Sequence, residues 1–465
     1  MNPRTDTAAA IATNRFGFGA RPGDLALAAT DPRGWLLTQI GTPYRMPGDL
    51  AGLASGREIL AAFQQARESR ADAKRAGRVA AADPVREIIA PHYLAQAAAR
   101  TRIALTAPAG FRERLVHFWS NHFAVSVDKP ACLGLAGALE NEAIRPRVDG
   151  YFVDMLLAVE THPAMLLYLD NPTSVGPNSP LGARAQRATG AQRKTGLNEN
   201  LAREILELHT LGIDGGYTQA DVTTFAAVIT GWSIGGGRGR EAGGEPGTFL
   251  FRPALHEPGA KTVLGRRYAE AGQSQGETVL RDLAAHPATA RHLATKLSRH
   301  FVADDPPAEL VEHLVRAYQD SHGHLPSVYE ALIRWDGVWT ANGFKYKTPV
   351  DFAYSALRAL EITPSQPRAL LAPFEVLGQR HWMPGSPAGW PDRAVDWDGA
   401  DALMKRIEWS VALAARAGEA RSATTTADAV LGGAISEHTR TQLAHAASGS
   451  QALALLLMSP EFQRR

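Results

Sequence analysis

Three segments of the 465-residue chain bring together side chains able to do chemistry. The densest is NENLAREILELHTLG, residues 198–212. On an α-helix turning 100° per residue, Glu199, Asn200, Arg203, Glu204 and Glu207 share one arc of about 140°. Leu201, Ile205, Leu206 and Leu208 fill the other side, with His209 among them. Such a face suits general acid–base catalysis by Glu204 and Glu207 with Arg203 as anion anchor, or the binding of a hard cation. Crowding would raise at least one carboxyl pKa, and Arg203 would lower its neighbour's. The same spacing equally describes a solvated face on which Glu199, Arg203 and Glu207 pair at i,i+4.

FRERLVHFWSNHF, residues 111–123, is the second segment. Phe111, Leu115, Phe118 and His122 share a helical face, while His117 and Asn121 point elsewhere. His117 and His122 therefore do not form a two-ligand metal pair. His122 is either a core histidine with one hydrogen-bond partner or a functional one. The third segment, HEPGAK, places His256, Glu257 and Lys261 in a turn, where function is often carried. A lone His-Glu dipeptide in a turn is also common. Trp382, Trp390 and Trp397 sit in the proline-rich loop HWMPGSPAGWPDRAVDW, either as stacking platforms or as a plug against the helices. His162-Pro163 and His286-Pro287 each precede a helix and are expected only to shape its entry. No HExxH, GxSxG, P-loop or CxxC signature occurs.

The elements that must position these groups are mostly helices. Ala and Leu dominate, β-branched runs are scarce, and apolar residues recur at spacings of three and four. Helices are expected over 57–106 with a break at Asp83-Pro84, then over 110–125, 131–148, 152–169, 198–212 and 218–231, and again from 275 onward. Mobile loops are expected at 170–196 and 235–247, with Arg184, Arg187, Arg193 and Lys194 solvated in the first. Phe249–Arg252 and Lys261–Leu264 predict one small β-hairpin near 249–264. The fold class is thus mainly α: a large single-body multi-helix fold, 1–465, with no internal boundary.

With 45% hydrophobic and 21% charged residues, the balance is that of a globular protein. A formal net charge of +2 gives no electrostatic reason to expect nucleic acid as a partner. The single cysteine, Cys132, excludes an internal disulfide and reads as a small buried apolar residue. No apolar run approaches a membrane span of about 18 residues. The opening residues lack a secretory core, so the expectation is a cytoplasmic protein.

Taken together, RFGFGARPGDL, FWSNHFAVS, NENLAREILELHTLG with GGYTQADV and TGW, HEPGAKTVLG, HPATARHLATKLSRHFV, the segment around Lys347-Thr348-Pro349, PAGWPD and SPEFQRR resemble, in collinear order, the blocks of the bacterial family called domain of unknown function 1800. The resemblance covers nearly the whole chain and implies a helical protein without an established activity. It also implies a neighbourhood with sulfatase-like proteins of the domain of unknown function 1501 family, a possible protein partner that could carry this chain to the periplasm by co-export. The blocks contain Asn121, His122, Glu199, Arg203, Glu204, Glu207, His256 and Lys261; His209 is a weaker candidate, since the family pattern often has an aromatic there.

Two functions follow as expectations. One is an enzyme with hydrolase-like acid–base or metal-assisted chemistry: Glu204, Glu207, Arg203, His122 and His256 are catalytic, while Asn121, Glu199, Lys261 and Trp390 bind substrate. The other is a non-catalytic partner or scaffold for the sulfatase-like protein. Substrate, metal and cofactor are left open.

Overall fold

The computed structural model describes residues 3–465, apart from 79–82, 109, 190–195, 237–242, 341–344 and 420. Helices hold 63% of the chain and strands 4%, which places it in the mainly α class. One continuous apolar core, running from Ala9 to Phe462, joins the first and last helices. No described helix is long and apolar enough to cross a membrane.

Of the helices α1 (Ala90–Thr106), α2 (Gly110–His122), α3 (Phe152–Glu160), α4 (Asn200–Glu204), α5 (Pro287–Phe301) and α6 (Pro349–Ala359), α1, α2, α5 and α6 supply residues to the wall of the site. Their starts follow local chemistry. The Nδ1 atoms of His162 and His286 accept from the backbone N–H of Ala164 and Ala288, so both histidines do cap the helices their prolines open. Thr348 Oγ1 caps α6 in the same way.

Several boundaries differ from expectation. The 131–148 stretch is broken into a 3-10 turn at Pro130–Cys132, a short helix at Ala136–Leu139, a π-helix at Glu140–Ile144 and a second 3-10 turn at Arg145–Arg147. The 152–169 stretch divides at Pro163, which cannot donate to the preceding turn. Residues 170–196 are not loop throughout, since Pro180–Thr189 is a helix opened by Ser179 Oγ accepting from Gly182. Arg184 and Arg187 are exposed on it, whereas Arg193 and Lys194 lie outside the described residues, as does 237–242 of the second expected loop.

Two of the strands lie where expected, but they pair with two that were not expected and not with each other. β1 (Trp232–Ile234) joins β2 (Phe249–Phe251), and β3 (Lys261–Val263) joins β4 (Arg266–Tyr268), both antiparallel. Between β3 and β4, Leu264 and Gly265 both have positive φ, 50° and 75°. That two-residue geometry matches the twist of a hairpin and outcompetes the longer HEPG turn. Asp221 Oδ1 accepts from Leu264 N–H at 2.7 Å and fixes the strained residue.

Charge is buried at the centre. Arg114 grips Asp351 with two bonds of 3.0 Å, and Arg465 Nε reaches the same carboxylate at 2.9 Å. Backbone bonds between Lys345 and Arg465 lay the two chain segments side by side. Burial would raise the Asp351 carboxyl, but the two guanidiniums hold it far below the usual range. Replacing Asp351 by Ala leaves two buried guanidiniums without their shared carboxylate and is expected to cost ~3–5 kcal/mol. Urea denaturation of the variant should show this as a lowered midpoint; a loss below about 1 kcal/mol would contradict the burial argument.

Candidate functional site

A cavity of about 330 Å³ opens between α2, α5, the start of α6 and the loop 379–396. On α5 the sequence HPATARHLATKLSRHF sets His292, Lys296 and His300 at i, i+4 and i+8, one face of the helix. Lys296, Arg299 and His300 line the cavity, opposite Phe118, Asn121 and His122 of α2.

His300 Nδ1 lies 2.9 Å from Asp392 Oδ2. Burial alone would raise the Asp392 carboxyl, but His300, Lys345 and Arg465 together hold it well below the ordinary range. An ionised carboxylate only accepts, so the proton sits on Nδ1. Burial lowers the His300 pKa to about 4 against the pull of Asp392, so the ring is neutral at physiological pH. Its Nε2 therefore presents a lone pair, and among the described residues that atom has no hydrogen-bond partner. His122 repeats the arrangement in the other tautomer. Its Nε2 donates to the His209 carbonyl at 3.1 Å, and its Nδ1 is buried without a partner among the described residues. Burial, then Lys296 and His292, push the His122 pKa well down.

The cavity favours anions. Asp351 and Asp392 are engaged by Arg114, Arg465, Lys345 and His300. Among the described residues, three lining cations have no carboxylate within ion-pair distance. They are Lys296, Arg299, whose Nε donates to the Asp304 carbonyl, and Arg380, whose Nη1 meets Met383 Sδ. Asp396, exposed at the rim, also lines the cavity. Burial lowers the Lys296 amine to about 8, and Asp392 resists the shift.

The wall is rigid. Trp382 adopts φ 48°, rare for a bulky residue, and is held there by bonds from Nε1 to Glu140 at 3.0 Å and Ser120 at 3.3 Å. Asn121 donates to the Trp390 carbonyl at 2.9 Å and accepts from its N–H at 2.7 Å, in the manner of a paired strand. Gly389, with φ 83°, permits this close approach, because an added Cβ would stand 2.3 Å from the Asn121 carbonyl oxygen. Trp382 and Trp397 are buried as a plug, and Trp382 and Trp390 both line the cavity.

The sequence-expected residues thus part company. Asn121, His122 and Trp390 line this cavity; Glu199, Arg203, Glu204, Glu207, His256 and Lys261 do not. After α4 the backbone becomes a π-helix over Ile205–Thr210, which turns more slowly than 100° per residue, so the single arc expected for 198–212 breaks there. Glu199 pairs with Arg203 at 3.1 Å and accepts from Gln219 and Thr223, and Glu207 accepts from the Tyr217 hydroxyl instead of Arg203. Glu204 is half-buried, and burial raises its carboxyl pKa. The π-turn carries His209 inward to a buried pair with Glu160 at 2.8 Å on α3. His256 Nδ1 bonds the Thr230 carbonyl at 2.9 Å and its ring faces Glu270. All three Lys261 donors are taken by Glu257, Gly259 and Gln275. Among the described residues no group of three or more His, Cys, Asp or Glu side chains is arranged to hold a metal ion.

Sequence reasoning missed Lys296, Arg299, His300 and Asp392. The i,i+4,i+8 spacing of His292, Lys296 and His300 was a usable signal for the α5 face; nothing local in PAGWPD marked Asp392 as the partner of His300.

The sequence profile described as "Protein of unknown function (DUF1800)" matches residues 11–464, so the chain belongs to that family. Neither a search of curated proteins nor one of solved structures found a match.

Burial lowers His117, His292 and His300 each to about 4, from an ordinary 6.5. The unfolded chain then takes up protons at a higher pH than the folded one. Stability should be complete above about 6.5 and fall toward pH 4, by up to ~3 kcal/mol per histidine. The depressed carboxyls of Asp351 and Asp392 extend the loss below 3.8. Denaturant midpoints measured from pH 7.5 down to 4.5 check this, and a flat profile would mean that the imidazoles are not held neutral.

Proposed function

We propose that the protein is an enzyme that moves protons on a small anionic substrate held in the His300 cavity. One observation carries the reading: His300 Nδ1 is fixed on Asp392 at 2.9 Å while Nε2, unpartnered, belongs to a ring lining a cationic cavity. An imidazole oriented by a carboxylate is the arrangement that general-base catalysis needs. Lys296, Arg299 and Arg380 draw in the anionic part of the substrate. Phe118 and Trp390 meet its apolar part, and His122 Nδ1 accepts a hydrogen bond from a hydroxyl. The volume is at the small end of ligand pockets, which run from about 300 to 1,000 Å³. An anion beside His300 raises its low pKa toward neutrality, so the substrate itself improves the base. This keeps the hydrolase-like acid–base chemistry expected from the sequence and moves proton transfer from Glu204 and Glu207 to His300.

Diethyl pyrocarbonate, which acylates neutral imidazole at a free nitrogen, tests the reading without a known substrate. Peptide mapping should find His300 acylated, and sulfate or oxalate should slow the modification at least about tenfold through the lining cations. Asp392→Asn, which no longer fixes the tautomer, should also slow it. An inert His300, or one indifferent to anions, would overturn the proposal.

A further inference from the structure

We infer that the cavity binds a small carboxylate bearing an aldehyde or ketone, and that Lys296 takes its carbonyl as an imine. The inference rests on His300 as the proton-transfer group and adds the substrate's reactive function. The first ground is how Lys296 is held compared with the other lysines in the protein body. Lys261 donates to three acceptors. Lys345 is held by Asp304, Asp392 and the Arg299 carbonyl. Lys347 lies over the Phe462 ring at 4.3 Å and does not line the cavity. Lys296 alone of these lines the cavity, and among the described residues no carboxylate stands within ion-pair distance of it. An ammonium kept for structure is normally paired when buried; an unpaired amine in a concave site is suited to be a nucleophile.

The second ground is its neighbourhood. His300 follows one helical turn later on the same face of α5, within reach to pass a proton between Nζ and the bound oxygen. Arg299 and Arg380 line the same cavity and remain for a carboxylate, which sets the chemical class of the probe. Burial adds to the case, since an amine at about 8 is unprotonated in a sizeable fraction near pH 7.5, unlike a solvated lysine.

The step balances within the site. The Nζ lone pair attacks the carbonyl carbon, and the π pair moves to oxygen. His300 Nε2 takes the two nitrogen protons in turn and delivers both to that oxygen, the first giving the carbinolamine hydroxyl and the second making it a leaving water. The oxygen departs as water while nitrogen and carbon form the double bond. One amine and one carbonyl give one imine and one water, with no oxidant or reductant.

Trapping with cyanoborohydride tests this on the full chain, with glyoxylate and pyruvate as anionic probes and propionaldehyde as the neutral control. Mass spectrometry should find one adduct, on the peptide carrying Lys296, formed about tenfold or more faster with the anionic probes at low salt. Lys296→Arg should remove it, and His300→Gln should slow it while Lys296 remains the labelled residue. Should Lys296→Arg fold poorly, the wild type still decides: pyruvate without reductant should protect Lys296 from trinitrobenzenesulfonate. Adducts spread over exposed lysines such as Lys74 and Lys405, with Lys296 untouched, would overturn the imine. If anions still shield His300 from acylation in that case, only the imine falls; if they do not, the proton-transfer reading falls with it.

Discussion

The site depends on a set of charges that the fold removes from water and then pairs. Arg114, Asp351, Arg465, Asp392 and Lys345 form a chain of ion pairs beneath the cavity, extended by the hydrogen bond from the neutral His300 ring to Asp392, and link α2, α5, α6, the 345–347 segment and the tryptophan loop. Each ion costs several kcal/mol to desolvate, so the set is tolerable only when every member keeps its partner. Asp392 sits where the chain of pairs meets the cavity. Its ionised state fixes the His300 tautomer, and that state is held by Lys345 and Arg465 from below. The His300 ring therefore inherits its orientation from residues far away in sequence.

A second buried layer, Arg100, Glu140, Arg145 and Glu113, supports the opposite wall. Glu140 both pairs with Arg100 and accepts from Trp382, so the strained tryptophan is anchored to charge as well as packing. His122 and His300, each with one buried ring nitrogen lacking a hydrogen-bond partner among the described residues, line the cavity that this wall encloses. Unpartnered buried polar atoms are costly in a folded protein. Two of them, on the imidazoles of His122 and His300, lie on residues that line the same cavity, whereas on the polar face of the 198–212 helix Glu199 and Glu207 already have partners.

The sequence by itself determined the class of fold, because helical periodicity and capping are local. His162 and His286 show this: a histidine before proline at a helix start was legible as an entry residue and is one. Asn121, His122 and Trp390 were legible as candidates and do line the cavity. The family resemblance, too, needed only collinear blocks. Local reasoning failed where backbone geometry departs from the ideal. The π-turn at Ile205–Thr210 rotates the face that a 100° wheel places together, and the Leu264-Gly265 turn redirects β3 to β4.

Only the tertiary structure decided which polar residues face one another. Asp392 lies 92 positions from His300, and Asp351 lies 237 from Arg114. No periodicity encodes such pairings, because they are selected by the free energy of burying charge in company, which exists only once the helices have packed. The same condition separates Lys296 from Lys345: one is left facing the cavity and the other is surrounded by carboxylates, although on the chain both are lysines in mixed polar and apolar segments.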